Sequence, residues 1–156
     1  MMARYNRLAN ERLYHCCAGL SDAERKKNRQ AFFKSIHGTL NHVMVGDRMW
    51  MIRFEGGTAP PTRLDAILYD DFDELRAARV REDERIERFA AGLSEEFLNG
   101  EISWVSGDDS SNRQPARMLL AHLFNHETHH RGQVHDMLSQ AGIATPVLDL
   151  PRVILP

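Results

Sequence analysis

The stretch NHETHHRGQ, Asn125 to Gln133, holds three of the chain's eight histidines, His126, His129 and His130. On a helical wheel at ~100° per residue, Leu119, His122, His126, His129, His130, Gln133 and Met137 fall within one sector about 100° wide. A face that carries Leu and Met packs inward, so these imidazoles are expected to be at least partly buried. Buried imidazoles without partners are costly, and a shared metal ion is one way to satisfy several at once. A lone histidine on such a face is more often a hydrogen-bonded core residue, so the pairing at i, i+4 is what raises the metal reading. Two such pairs are present, His122 with His126 and His126 with His130, and either can reach a single ion.

A pair supplies two ligands, whereas an open catalytic site takes three and keeps a position for water or substrate. The third must come from another element. His42 is the best candidate, because Thr39 and Gly46, at i−3 and i+4, leave room for a second helix to approach. His37 is the rival and His15 is less favoured.

The frame His126-Glu127-Thr128-His129-His130 also matches the H-E-x-x-H pattern of zinc proteases, in which the glutamate is general base. The rest of that pattern is missing. No glutamate follows Glu127, and the longer H-E-x-x-H-x-x-G-x-x-H form fails by register, since Gly132 and His135 each sit one place early. On the wheel Glu127 lies roughly 100° from His126, pointing away from the shared face. A protease is therefore excluded.

Outward from this helix, the chain of 156 residues reads as one all-α domain, 1–156, long enough to bury a core. Helices are expected over 3–18, 34–55, 71–91 and 115–140, with Pro115 in the first turn of the last. Gly19 is expected as a left-handed stop, Gly56-Gly57 and Gly142 as further stops, and Ser21 to Glu24 as a capping box. Along 71–91, Phe72, Leu75, Val80, Ile86 and Phe89 supply apolar points, and the charged residues between them read as a solvated face. Residues 99–112 read as an irregular loop with turns at Asn99-Gly100 and Gly107-Asp108, and 101–105 as a short extended piece. The tail, 145–156, is expected to pack on the domain surface or against a second subunit.

A net charge of -2 and a pI near 6.4 argue against a nucleic-acid or anionic-membrane partner. No apolar run approaches the roughly 20 residues of a membrane span, and the polar start of the chain lacks the apolar core of a secretory signal. Cys16 and Cys17 are adjacent and poorly placed for a disulfide, so a reducing cytoplasm is expected and packing is their assigned role.

Several blocks together resemble the DinB-like superfamily of small metal-binding helical proteins. They are Arg4-Tyr5-Asn6-Arg7-Leu8-Ala9-Asn10, then Gly38-Thr39-Leu40-Asn41-His42 with Asp47-Arg48-Met49-Trp50. Phe72-Asp73-Glu74-Leu75-Arg76 follows, and the series closes with His122-Leu123-Phe124-Asn125-His126 running into Thr128-His129-His130-Arg131-Gly132-Gln133. The last block is the most specific, and the order of all four strengthens the match. The resemblance implies a four-helix bundle and a divalent ion, zinc or nickel, held by His42, His126 and His130. It implies a homodimer, and in some relatives the transfer of low-molecular-weight thiols to electrophiles.

Three functions follow as expectations. The first is a metal-dependent thiol transferase acting on a small molecule, with His129 as a supporting or proton-transfer residue. In that scheme Asp47 orients a ligand and Gln133 lines the pocket. The second is a metal-dependent hydrolase. The third is a non-catalytic, stress-associated metal-binding protein.

Overall fold

The computed structural model describes residues 1–106 and 110–155. In chain order the elements are α1 (Met2–Ala18), α2 (Asp22–Lys26), α3 (Ile36–Phe54), α4 (Phe72–Ala91) and α5 (Glu95–Asn99). A hairpin of β1 (Glu101–Val105) and β2 (Ser111–Pro115) follows, then α6 (Ala116–Gln140) and α7 (Leu150–Ile154). α1 packs against α4 and α6, and α3 packs against the same two helices. The four long helices thus close into a bundle, the all-α class expected.

Local chemistry sets the ends. Ser21, Ser35, Asp71 and Ser94 each cap a helix by accepting a backbone N–H three residues on. Gly56 (φ 80°) and Gly142 (φ 75°) take left-handed stop positions. Gly19 does not: its φ is −70°, and the helix frays through turn hydrogen bonds to Cys16 and Cys17 instead. Pro115 lies one residue earlier than expected, as the cap of α6 and the last residue of β2. The region read as an irregular loop is a two-stranded antiparallel hairpin, with Ile102 opposite Gln114 and Trp104 opposite Asn112. Its expected turn at Gly107-Asp108 lies outside the described residues.

The two larger apolar clusters of the core have a charged layer between them, and a third, smaller cluster holds Tyr5, Ala9 and Val153. Of the larger two, one holds Leu13, Ile36, Leu40, Met44, Leu75, Val134 and Leu138. The other holds Ala3, Trp50, Met51, Phe54, Ile86, Leu119 and Leu123. Between them in sequence, on each long helix, stand the buried polar residues: Asn6 and Asn10, Asp47, Arg79 and Asp83, Glu127 and Arg131. The order of the clusters also gives the topology. α1 and α6 run one way, α3 and α4 the other, so the segment 55–71 between α3 and α4 must return along the bundle.

The charged layer corrects the reading of α4 as a solvated helix: Arg79, Glu82 and Asp83 are buried, while Val80 is 53% exposed. The Arg79 guanidinium donates to Asp47 and lies 3.1 Å from Asp83 and 3.3 Å from Glu127. Arg131 donates to Glu127 at 2.9 Å and to Asn6 and Asn10. Asn6 and Asn10 in turn donate to Asp83. Three carboxyl groups thus face two guanidinium groups, one negative charge in excess. Burial, with the charge of Glu127 beside it, pushes the Asp47 carboxyl well above its usual range. The two arginines hold Glu127 down at about 2. Burial therefore favours a proton on Asp47 rather than on Glu127. Asp47 belongs to this layer and not to the histidine site.

The tail packs on the domain surface. Tyr5 donates to the Leu148 carbonyl at 2.8 Å, and Val153 is buried against Tyr5 and Ala9.

With a proton favoured at Asp47, Asp47→Asn is expected to change stability by less than about 1 kcal/mol. Glu127→Gln uncouples two buried guanidinium groups and is expected to cost about 3 kcal/mol or more. Urea unfolding of both variants against wild type measures the difference; equal losses would refute the placement of the proton.

Candidate metal centre

α6 presents His126 and His130 toward α3, one turn apart, and α3 presents His42. The His42 Nε2 lies 3.0 Å from the His126 Nε2 and 3.2 Å from the His130 Nε2. One nitrogen from each of the three rings lies within 4.8 Å of the others. Three nitrogens each ~2.0–2.1 Å from one ion stand about 3.0–3.4 Å apart, so the spacing suits a single cation.

Proton positions support the same fit. The His42 Nδ1 is 2.7 Å from the Leu64 carbonyl and must donate to it, which leaves a lone pair on Nε2. The His130 Nδ1 donates to the Gln133 Oε1 at 2.8 Å, and the Gln133 Nε2 donates to the His129 Nε2 at 3.1 Å. That amide orientation gives the His130 Nε2 a lone pair too. Two lone pairs aimed at each other across 3.2 Å repel unless a cation sits between them. Burial lowers the pKa of all three imidazoles, His126 to about 4, with the mutual repulsion of the rings adding to the effect in His126 and His130. The donors are thus neutral at pH 7, the form a metal needs.

Two close approaches make this arrangement possible. Gly46 faces the His126 ring, and a Cβ there would stand 2.9 Å from Cε1. Gly38 lies against the turn that carries Phe33, and a Cβ would run into the Phe33 carbonyl. In that turn Gln30 (φ 60°) and Lys34 (φ 66°) are both left-handed, a strained conformation for side chains of this kind. The turn places the Phe33 ring flat on His42, with centroids 3.7 Å apart and planes 14° apart. An open cleft of about 500 Å³ lies over the histidines, walled by Phe32, Phe33, Met49, Trp50 and Leu64.

Other residues singled out in the sequence fall elsewhere. His122 is exposed, with its ring 5.4 Å from Trp50, so the pair it forms with His126 is not the one used. His129 is exposed at the rim, its ring 4.8 Å from that of His130. The expectation that the whole histidine face is buried therefore fails at His122 and His129. His37 contacts the Tyr69 carbonyl at 2.9 Å and stands outside the cluster. Glu127 is fully buried in the charged layer, which removes it as a general base. Gln133 lines the cleft. Cys17 is buried and Cys16 is partly so; both pack in the lower core, and His15 is exposed beyond them. The sequence reading missed Phe33 and Leu64. Phe33 showed no signal beyond an aromatic pair in a polar stretch, and a backbone carbonyl leaves no mark in a sequence at all.

The fold is a four-helix bundle whose long helices bring three histidines together below an open cleft, positioned to hold a metal ion. The chain belongs to the DinB family, which its residues 1–155 match. It is similar to Protein DinB of Bacillus subtilis (strain 168), 29% identical over 149 residues, which cover 93% of this chain and 87% of that protein. It also superposes on the crystal structure of a DinB-like protein from Bacillus cereus ATCC 10987, with a TM-score of 0.67 over 89% of each chain. At 16% identity that second likeness concerns the fold alone. No helix among the described residues is long and apolar enough to cross a membrane.

Two outcomes are expected. Gly46→Ala should push the His126 ring aside and weaken zinc binding about ten-fold or more while leaving the helical circular dichroism intact. With all three imidazoles held below the ordinary histidine value, the midpoint of zinc loss on dialysis should fall below pH 6.5. Loss centred on pH 6.5, where an ordinary histidine titrates, would contradict the environment described for His126.

Proposed function

We propose that this protein is a metal-dependent enzyme that transfers a low-molecular-weight thiol to a small electrophile. His42, His126 and His130 would hold a divalent ion, zinc or nickel. The observation that carries the reading is the one-sided geometry. Three neutral imidazoles converge from the helices, two of them fixed from behind, and the opposite side faces a cleft of about 500 Å³. A centre that serves only to hold the bundle together would be closed by a fourth protein ligand. A divalent ion at these nitrogens supplies positive charge that lowers the pKa of a bound thiol.

The chain's own residues do the rest. Leu64, through its carbonyl, and Gln133 hold the His42 and His130 rings in the tautomer that directs Nε2 inward. Phe33, Met49, Trp50 and Leu64 form an apolar wall that keeps water from the electrophile. His129 stands at the rim as the base that takes the thiol proton at Nε2, the atom now accepting from Gln133. The S–H bond breaks with its pair left on sulfur. The sulfur–carbon bond then forms, and the leaving group departs with its bonding pair. A hydrolase built on Glu127 is disfavoured, since that carboxylate is fully enclosed. Cytoplasmic location and assembly as a homodimer belong to the same proposal.

Elemental analysis of tag-free protein tests the ligand set. Near-stoichiometric metal is expected in wild type and His129→Ala, and its loss in His42→Ala, His126→Ala and His130→Ala. Conjugation of a thiol to 1-chloro-2,4-dinitrobenzene tests the reaction: His129→Ala should keep the metal yet lose about 10²-fold in rate at neutral pH. A wild type that binds no zinc or nickel would end the reading.

A further inference from the structure

On α3, His42, Gly46, Met49, Trp50 and Arg53 recur at spacings that place them on one face. Arg53 is three turns beyond His42, ~16 Å along the axis at 1.5 Å per residue. The Trp50 ring connects the two. It walls the histidine cleft, 5.4 Å from the His122 ring, and meets the Trp104 ring of β1 at 5.3 Å. The Arg53 guanidinium lies over both indoles, 4.8 Å from Trp50 and 5.2 Å from Trp104. Beyond it is a second open hollow of about 500 Å³, lined by Arg53, Gly56, Gly57, Ser103, Trp104 and Asn112.

The surroundings of this arginine set it apart from its neighbours. Arg113 is paired with Glu101 at 2.5 Å, Arg85 with Glu55 at 2.5 Å, and Arg48 lies 3.8 Å from Glu82. Arg53 has no carboxylate partner among the described residues. Partial burial pulls its guanidinium below the ordinary arginine value, since some of its hydration is lost and no anion replaces it. The two indoles hold the planar head in place, so little rotamer freedom remains to be lost when a ligand arrives. A fixed, partly desolvated guanidinium with free N–H donors toward a hollow is a receptor for carboxylate or phosphate oxygens.

We infer that Arg53 is a second binding subsite, taking an anionic oxygen group of the molecule whose reacting end lies at the three histidines. The inference rests on the small-molecule reading above and narrows it to anionic substrates. Helical side chains lean toward the N-terminus, which brings the guanidinium back over Trp50 and shortens the span to the triad. The occupant is thus a thiol with a carboxylate or phosphate far from its sulfur, and thiols that lack that group bind more weakly.

The chain has two tryptophans, and both flank Arg53, so intrinsic fluorescence reports on this subsite directly. Zinc-loaded protein is titrated with glutathione and its diethyl ester, and with coenzyme A and the neutral pantetheine. A saturable change with one anionic member, at least about ten-fold tighter than the counterpart that lacks the anionic group, is expected in wild type. The pair that responds distinguishes carboxylate from phosphate. Arg53→Gln should erase the preference and Arg53→Lys should keep part of it. Equal affinity for the two members of each pair in wild type overturns the subsite, as does a preference that survives Arg53→Gln or the absence of any saturable response. S-methylglutathione separates this inference from the one beneath it. If thiol conjugation fails yet this thioether binds in an Arg53-dependent way, the anion subsite stands and the transferase reading falls.

Discussion

The Arg79 guanidinium is the contact on which the architecture turns. It stands in the middle of the bundle, bound to Asp47 of α3, Asp83 of its own helix and Glu127 of α6, and Asn6 and Asn10 of α1 complete the layer. Burying this many charges adds little net stability, because desolvation offsets most of the attraction. What it does instead is penalise misalignment. An apolar layer tolerates the slip of one helix past another by a turn, whereas a slip here would leave guanidinium and carboxylate groups buried without partners. Asp47 and Glu127 thus set the level of α3 against α6, and that level brings His42 opposite His126 and His130.

The histidine centre is built outward from that register. α3 and α4 run in the same direction, so the connection between them returns along α3. Two backbone groups of this return segment are used as fixtures: the Leu64 carbonyl holds His42, and the Tyr69 carbonyl contacts both His37 and Asn41. From the other side, the left-handed turn at Gln30 and Lys34 sets Phe33 on His42. The ring is therefore gripped by a carbonyl at one edge and an aromatic face above. Such support is what keeps three imidazoles converged when their own lone pairs oppose it. The charged layer and the cleft divide the polar work of the bundle, one buried and held by ion pairs between helices, the other open on the ligand side.

Much of this was legible in the residues. The helical periodicity of 116–140, the cap at Ser21 and the stops at Gly56 and Gly142 are local chemistry, and the structure contains them. His42, His126 and His130 are also the three that the fold brings together. Spacing alone had left His122 competing with His130, because i, i+4 is symmetrical about His126 and nothing local breaks the tie. The failures have separate causes. Arg79, Asp83 and Glu82 read as solvent-facing because charge normally predicts exposure, and only partners on other helices reverse that rule. Gly19 read as a left-handed stop because glycine permits that conformation without requiring it.

The sequence by itself determined the class of fold, the helix ends and the side chains able to hold a metal, since each depends on residues within a turn or two of one another. Only the tertiary structure decided which histidine of the crowded face turns toward α3, which carbonyl holds His42 and which buried carboxyl favours a proton. It alone set Arg53 between Trp50 and Trp104, residues 54 positions apart in the chain. These depend on groups far apart in the chain, whose distances are fixed by packing and by the cost of an unpaired buried charge.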